Sequence, residues 1–348
     1  MPARKPINLA LQGGGAHGAF AWGVADAFLA SERVALNAIT ATSAGAMNAA
    51  VIACGHRQGG DAGARALLER FWRAVSEAGS LFGMPDGGLT DAIPFARQAK
   101  EWATHVAMEV GTATLSPYQF NPLGLNPLRD VLAEVVDFAR LHEDAGDGPP
   151  IKLFVSATNV RTGKVAVFRN AEITADHVLA SACLPQLFQA VEIGGEAYWD
   201  GGYMGNPSLW PLFYETDVED LVVVHINPIE RDEVPRSVAA IDNRVNEISF
   251  NAALLKEMRA VAFVQKLLRD GYIKEERAAE LSDIRFHSIR ADKALADLSL
   301  ASKYDTSWRF LTELRDRGRE VGAAWLDAHW DEVGVRGTVD LRAEFLDL

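Results

Sequence analysis

The chain has 348 residues, of which 49% are hydrophobic and 23% are charged. It can therefore bury a large core in one large domain, or in one domain with a smaller additional part. Its formal net charge of −13 at pH 7 argues against nucleic acid as a partner and against broad electrostatic attachment to anionic lipid. The two cysteines, Cys54 and Cys183, are too few for a disulfide framework and favour a cytoplasmic location. The basic start resembles a signal peptide only superficially, because cleavage there would remove the glycine loop at 13–18.

Apolar runs and helix-like segments alternate along much of the chain. The predicted strands are Ile7 to Leu11, Leu36 to Thr40, Ile151 to Ser156, Val165 to Phe168, Val191 to Ile193 and Leu221 to Ile226, and the predicted helices are Ala19 to Ala30 and Ala44 to Cys54. This alternation is typical of an α/β fold in which helices cover both faces of a mostly parallel sheet. Because open α/β sheets bind ligands at strand ends, we expect the catalytic groups there.

The first predicted strand leads into a glycine-rich loop, Gly13-Gly14-Gly15-Ala16-His17-Gly18, and then into a helix. Glycines let an ester approach the main chain closely, since they carry no Cβ. The free amides and the positive dipole end at the start of a helix favour an anion in the same place. Acyl transfer needs such N–H groups where a carbonyl oxygen becomes negative. The loop is therefore a candidate oxyanion site.

The second predicted strand ends on a serine flanked by small residues, Ala41-Thr42-Ser43-Ala44-Gly45-Ala46. A serine on a tight strand-to-helix turn has its hydroxyl pushed outward, and small neighbours avoid crowding the turn. A serine in this position alone would more commonly cap a helix. The combination with the glycine loop instead favours Ser43 as a nucleophile.

A third motif, Asp200-Gly201-Gly202, places an acidic side chain at the start of a glycine turn. A serine hydroxyl is a poor nucleophile until a base takes its proton, and a carboxylate within hydrogen-bond reach can do so. Asp200 alone would pass for an ordinary turn aspartate. Together with Ser43 and the glycine loop it is the candidate base.

These motifs, in this order, resemble those of the patatin-like phospholipase family, which comprises serine lipid acyl hydrolases with a Ser-Asp dyad and no catalytic histidine. The family's oxyanion loop matches Gly13 to Gly18, its nucleophile motif matches Ala41 to Gly45, and its aspartate motif matches Asp200 to Gly202. The stretch Ser181-Ala182-Cys183-Leu184-Pro185 also resembles a segment that the family carries before the aspartate.

The resemblance implies a three-layer patatin-like fold and an acyl-enzyme mechanism that needs no cofactor and no metal. It implies Ser43 and Asp200 as the catalytic residues and the amides of Gly13, Gly14 and Gly15 as the oxyanion-binding groups. The remaining motif glycines are Gly18, Gly45, Gly201 and Gly202. The implied partner is a lipid or other acyl-ester substrate, with peripheral contact to a membrane or lipid body through local apolar surface.

Two positions depart from the family pattern. Ala41 replaces the usual glycine, and we expect its methyl group to be tolerated because the rest of the turn is small. His17 stands where many members have Arg or Lys. Since histidine titrates near neutrality, any positive charge at the loop is expected to depend on pH.

Two other enzyme classes share parts of this pattern. Gly13-x-Gly15-x-x-Gly18 also matches a dinucleotide-binding fingerprint, but the strand that follows ends on Thr42-Ser43 instead of the required Asp or Glu. A Ser-His-Asp triad would need a histidine after the acid. His225 and His287 lie within strand-like runs, so they are interpreted as core histidines with satisfied hydrogen bonds.

The chain is predicted to divide into a catalytic domain over residues 1–234 and a mainly helical C-terminal extension over 235–348, as in a bacterial subgroup of the family. Residues 80–128 are rich in Gly, Pro and aromatic side chains, which fits either a lid or acyl-channel wall or an ordinary insertion with its own small core.

Five apolar positions in the extension, which are Val245, Ile248, Ala252, Leu255 and Ala262, fall at helical spacing. We expect that stripe to face the core, with a membrane-binding face as the alternative.

Three functions stay open from the sequence. The first is hydrolysis of phospholipids or other long-chain esters. The second is the same chemistry on another acyl ester, a thioester or a storage polyester. The third is a catalytically silent lipid-binding scaffold.

Overall fold

The protein is described by a computed structural model over residues 4–81, 115–142, 150–273 and 283–346. In these ranges the chain forms one eight-stranded sheet. The strands are β1 (Lys5–Leu11), β2 (Val34–Ala41), β3 (Lys152–Asn159), β4 (Val165–Arg169), β5 (Val191–Ile193), β6 (Glu196–Asp200), β7 (Asp220–His225) and β8 (Arg285–Arg290).

The described ranges also form helices, several of which pack on this sheet. They are α1 (Gly18–Ala30), α2 (Ala44–Leu81), α3 (Pro117–Phe120), α4 (Pro127–Val135), α5 (Ala139–His142), α6 (Ala175–Ser181), α7 (Trp210–Glu215), α8 (Val238–Arg269), α9 (Trp308–His329) and α10 (Leu341–Phe345). Short 3-10 turns occupy Gly15–His17, Gly201–Tyr203 and Ala301–Tyr304. The long helix α2 breaks at Gly59 and Gly60, whose backbone angles are not helical.

The strand order is β5-β6-β3-β2-β1-β7-β8, with β4 paired to β3. The central pairs β3-β2, β2-β1, β1-β7 and β7-β8 are parallel, whereas β4, β5 and β6 pair antiparallel at one side. The predicted α/β fold with a mostly parallel sheet is therefore confirmed. Because parallel neighbours end at the same edge, β1 and β2 bring the glycine loop and Ser43 together.

Alternate residues of a strand face opposite sides of the sheet, and two hydrophobic clusters result. In β1, Leu9 and Leu11 join one cluster and Ala10 joins the other. The first cluster contains the largest fully buried side chains of α1 and α2, which are Phe20, Trp22, Phe28 and Phe71. The second includes Leu254 and Met258 of α8. Both faces of the sheet are thus covered, as the sequence predicts.

Some local predictions differ from the structure. Strand β6 was not among the predicted strands, because its sequence Glu-Ala-Tyr-Trp-Asp has neither an apolar run nor clear alternation. Helix α2 continues well beyond the predicted end at Cys54. The C-terminal part of the chain contributes β8 to the sheet in addition to helices.

The apolar stripe of α8 faces the core only in part. Val245 and Ile248 are 57% and 54% exposed, so the prediction of core packing is wrong for these two residues. The buried side is formed by Leu254, Met258 and Ala262, which are spaced four residues apart. The predicted stripe therefore coincides with the buried face only in the later part of the helix, and its first residues are exposed.

Most of the proposed lid segment, 80–128, lies outside the described residues, which include only 80–81 and 115–128 of it. There, Leu115, Tyr118 and Phe120 are exposed apolar side chains. None of the helices in the described ranges is both long and apolar enough to cross a membrane.

Helices α1 and α9 lie in unusually close contact, which ties the C-terminal region to the core. A Cβ on Gly23 would come within 1.9 Å of the carbonyl oxygen of Arg315, and one on Gly318 within 2.1 Å of the carbonyl oxygen of Phe20. The two backbones can approach in this way because both positions lack a side chain.

We expect Gly23→Ala to lower the free energy of unfolding by more than about 2 kcal/mol, because the added methyl group must push α9 away from α1. Urea denaturation measures this change. Gly59→Ala is the matched control, since a Cβ there meets no atom within 4 Å. Equal stability of the two variants would contradict the close contact between α1 and α9.

Candidate active site

The glycine loop and the serine turn meet at the carboxyl ends of β1 and β2. The N–H of Thr42 donates to the carbonyl oxygen of Leu11. At the start of α2, a Cβ on Gly45 would come within 2.3 Å of that same oxygen. Only glycine therefore fits at position 45, which explains the second glycine of the nucleophile motif.

Ser43 occupies the turn between β2 and α2 in the left-handed region, with φ 55°. Few residues other than glycine adopt this conformation, and such strained residues cluster at functional sites. Its N–H donates to Ser181 Oγ at 2.9 Å, and the Ser181 hydroxyl donates to the carbonyl oxygen of Ser156 at 2.6 Å. Ser181 of α6 thus holds the turn against β3.

Ala41 departs from the family pattern without disturbing this turn. It is the last residue of β2, paired with Leu11 of β1 and Val155 of β3. Its methyl group is fully buried in the first hydrophobic cluster. The methyl group is therefore accommodated, as expected.

Asp200 is the last residue of β6 and is completely buried. Its Oδ1 accepts a hydrogen bond from the N–H of Gly202 at 2.7 Å. Its Oδ2 has no hydrogen-bond partner of normal geometry among the described residues, but the Ser43 hydroxyl lies close enough to lower the pKa of the carboxyl. The sequence motifs for the serine and the aspartate thus come together in the fold.

Burial raises the pKa of Asp200 to about 6. The Gly202 N–H, the Ser43 hydroxyl and the positive charge of Lys303 act in the opposite direction, since each favours the ionised carboxylate. The net result is a carboxylate that is more basic than usual and still ionised at neutral pH.

The two glycines after Asp200 allow its turn to pack tightly. A Cβ on Gly201 would come within 2.2 Å of the carbonyl oxygen of Ser156. A Cβ on Gly202 would come within 2.5 Å of the Phe250 ring. Side chains at either position would displace the turn that carries the aspartate.

The glycines of the loop at 13–18 differ in their hydrogen bonds and contacts. The N–H of Gly13 donates to Asn206 Oδ1 at 2.7 Å, so it is already engaged and does not match its predicted role as an oxyanion donor. The Gly14 and Gly15 N–H groups make no hydrogen bond in the described part of the chain. Gly15 also has a φ of +59°, which favours glycine. Gly18 packs against Ala44, where a Cβ would approach that side chain to 2.6 Å.

His17 does not supply a pH-dependent charge near neutrality, and that expectation is wrong. The side chain is buried, and its Nε2 lies 2.7 Å from Ser302 Oγ. Burial, assisted by the positive charge of Lys303, lowers the pKa of His17 to about 3. The imidazole is therefore neutral at physiological pH, because removing its charged form from water is unfavourable.

Neither histidine considered for a triad hydrogen-bonds to Ser43 or Asp200. His287 is buried in β8 and lies 3.1 Å from Asp220 Oδ1. His225 is buried in β7 as predicted, but its ring nitrogens find no hydrogen-bond partner among the described residues, so the predicted hydrogen bonds are not seen there. Within the ranges that the structure describes, no group of three or more His, Cys, Asp or Glu side chains could hold a metal ion.

Three residues near the site were not assigned a role from the sequence. Ser181 lies in the Ser-Ala-Cys-Leu-Pro stretch, so a motif pointed to it without giving its contact. Asn206, which binds Gly13, follows the aspartate motif by a few residues. Lys303 carries no motif at all, and only the folded chain brings it near Asp200.

An α/β sheet that gathers a serine turn and a buried carboxylate at its strand ends is typical of serine hydrolases as a class. A family model described as patatin-like phospholipase matches residues 9–213. The chain therefore belongs to the patatin-like phospholipase family, a family of lipid acyl hydrolases.

Two solved structures resemble the chain in outline. The crystal structure of VipD from Legionella pneumophila has 15% sequence identity and a TM-score of 0.43, covering 94% of this chain and 67% of that chain. The type III effector protein ExoU has 16% identity and a TM-score of 0.35, covering 93% of this chain and 53% of that chain. The chain thus spans about half the length of ExoU. A search of curated proteins found no match.

We expect Ser181→Ala to lower the free energy of unfolding by about 1 to 3 kcal/mol, because it leaves the buried N–H of Ser43 without an acceptor. It should also slow the labelling of Ser43 by a fluorophosphonate. Ser76→Ala is the matched control, since Ser76 is buried in α2 but makes no hydrogen bond within the described residues. Wild-type stability and labelling in Ser181→Ala would contradict the role of this contact.

Proposed function

We propose that the protein is a serine lipid acyl hydrolase of the phospholipase A or esterase type, with Ser43 as nucleophile and Asp200 as base. The observation that supports this most directly is the buried Asp200 carboxyl close to the Ser43 hydroxyl, whose Oδ2 has no hydrogen-bond partner of normal geometry among the described residues. A buried carboxylate oxygen without a donor is costly unless a ligand or a reacting group uses it. The Ser43 hydroxyl is the donor that we propose for this carboxylate oxygen of Asp200.

In the proposed mechanism, Asp200 takes the hydroxyl proton as Ser43 Oγ attacks the ester carbonyl carbon. The carbonyl electrons move to oxygen, and the N–H groups of Gly14 and Gly15 stabilise that charge. Collapse breaks the ester bond, and Asp200 returns the proton to the leaving alcohol. Water then attacks the acyl-enzyme with Asp200 again as base, releasing the acid and restoring Ser43.

The surroundings of Asp200 suit this cycle. An unperturbed aspartate is too weak a base at neutral pH, and the raised pKa of about 6 brings it closer to the operating range. The Gly202 N–H holds one carboxylate oxygen, and the other has no hydrogen-bond partner of normal geometry among the described residues. Asp200 therefore needs no histidine between itself and the serine.

The substrate class follows from the family and from the apolar side chains near the aspartate turn. Tyr203 and Met204, which follow the Asp200-Gly201-Gly202 motif directly, are 39% and 42% exposed. Tyr203 also contacts the Phe250 ring, at 5.6 Å between ring centroids. This apolar rim fits the acyl chain of a phospholipid or other long-chain ester, reached by peripheral contact with a membrane or lipid body.

Fatty-acid release from mixed phospholipid vesicles by the purified protein tests the assignment. Ser43→Ala should reduce release to background, and Asp200→Asn should lower it by about 10³-fold or more, since the nucleophile then lacks its base. Ser31→Ala is the matched control, because Ser31 lies at the opposite end of α1 from the glycine loop.

Release that persists in Ser43→Ala would overturn Ser43 as the nucleophile. If neither the wild type nor the control releases fatty acid, the same variants should be assayed on thioesters, short esters and storage polyesters. Failure on all of these, together with no labelling of Ser43 by a fluorophosphonate, would favour the lipid-binding scaffold.

The rate should also depend on pH through Asp200. Because only the ionised carboxylate accepts the proton, kcat/KM should fall as pH drops through about 6, with a tenfold loss for each further unit. Initial rates on a soluble ester between pH 4 and 7.5 measure this limb without changes in the vesicles. A flat profile down to pH 4 would rule out Asp200 as the base.

A further inference from the structure

A short segment far along the chain lies directly on the glycine loop. In the 3-10 turn Ala301–Tyr304, the carbonyl oxygen of Lys303 sits where a Cβ on Gly15 would approach it to 2.4 Å. Ser302 of the same turn contacts the buried His17 ring at 2.7 Å. The C-terminal part of the chain therefore covers the candidate oxyanion loop.

The side chain of Lys303 extends from this turn into the protein. Its Nζ donates to Asn227 Oδ1 and to Asn246 Oδ1, both at 2.9 Å, and lies 5.7 Å from the centre of the Phe250 ring. These partners are neutral, and no ion pair to Lys303 occurs within the described residues. An ammonium group away from water normally pairs with a carboxylate, so this arrangement is unusual.

The ionisable groups around Lys303 come from several elements. Two carboxylates act on it electrostatically, Glu247 from α8 and Asp200 from β6. Glu247 is already paired with Arg231 and Arg244. No arginine or lysine forms an ion pair with Asp200 in the ranges that the structure describes. Of these two carboxylates, Asp200 is therefore the one whose charge is not already balanced by an arginine within the described residues.

The other titratable neighbours are uncharged at neutral pH. His17, on the adjacent turn, has a pKa lowered to about 3 by burial. Burial raises the pKa of both Tyr203 and Tyr304 above the ordinary tyrosine value. Lys303 is thus the cation in the described surroundings of the glycine loop and Asp200.

Hydrogen bonds through Asn227 also connect Lys303 to the glycine loop. Asn227, which accepts from the ammonium group, donates through Nδ2 to the carbonyl oxygen of Gly13 at 2.8 Å. The Gly13 N–H is held in turn by Asn206. The position of the ammonium group is therefore fixed relative to the amides that follow Gly13.

We propose that Lys303 is a positioning residue that supplies the positive charge of the active site, keeping Asp200 ionised and stabilising the oxyanion that forms beside the glycine loop. This inference rests on the proposed roles of Ser43 and Asp200. It assigns to a lysine of the C-terminal region the positive charge that His17 does not provide.

If Lys303 supplies this charge, kcat/KM should depend on pH with a bell-shaped profile. Burial lowers the pKa of Lys303 to about 8. As pH rises through that value the ammonium group loses its proton, and the negative charge of the transition state loses its stabilising partner. The rate should therefore fall above about pH 8 as well as below about pH 6.

The first experiment compares kcat/KM against pH for the wild type, Lys303→Gln and Lys303→Arg on a soluble ester. Lys303→Gln should lose roughly 10-fold or more at the optimum, because the developing oxyanion then lacks the attraction of a unit positive charge. Its acidic limb should move to higher pH, and its alkaline limb should disappear. Lys303→Arg should keep most of the rate and also lack the alkaline limb, since arginine stays protonated.

The matched control is Lys293→Gln, which removes an equal charge at an exposed position. It should leave both limbs unchanged. A purely structural role for Lys303 would lower stability and rate without moving either limb, and it would make Lys303→Arg as defective as Lys303→Gln. Such a result would overturn the inference, with thermal melting curves showing that all variants are folded.

The second experiment measures the pKa of Asp200 directly by carboxyl ¹³C NMR, with its signal assigned by comparison with Asp200→Asn. The pKa should rise in Lys303→Gln and stay constant in Lys293→Gln. This readout does not require turnover, so it decides the electrostatic coupling even if the proposed hydrolase activity fails. An unchanged pKa of Asp200 in Lys303→Gln would overturn the inference while leaving the Ser43 assignment intact.

Discussion

The candidate site depends on one steric constraint, the contact between two chain segments that leave neighbouring parallel strands. A Cβ on Gly45 would approach the carbonyl oxygen of Leu11 to 2.3 Å, and one on Gly13 would approach the Cβ of Ser43 to 2.5 Å. The loop and the serine turn can therefore meet only through glycines. Once they meet, Ser43 adopts its left-handed conformation and its hydroxyl lies beside Asp200.

The sequence predicts the parts of this arrangement that are local. Apolar runs that end on small residues indicate strands and tight turns, and the glycine loop and Ser43 lie just after two such runs. The Asp-Gly-Gly motif also points to Asp200, although no pattern in the sequence predicts its strand, β6. The roles of Ser181, Asn206 and Lys303 could not be predicted, because each depends on contacts between segments far apart in the chain.

The positive charge near the glycine loop likewise depends on contacts between distant segments of the chain. The sequence places a histidine in the glycine loop, and an isolated histidine titrates near neutrality. In the fold, burial holds His17 neutral, and Lys303 reaches the neighbourhood of the loop from a distant turn. Which of two basic residues carries the charge is therefore decided by desolvation and packing, which no local pattern encodes.

Strand β8 has a consequence for how this protein can be divided. Its pairing covers β7, which would otherwise present a row of unpaired N–H and C=O groups along six buried residues. A fragment ending at residue 234 would leave that row open, together with the apolar side of α1 that α9 covers. Exposed edges of this kind recruit strands from other molecules. Shortened versions of the chain would thus be prone to self-association, and a fusion partner is better attached beyond α10.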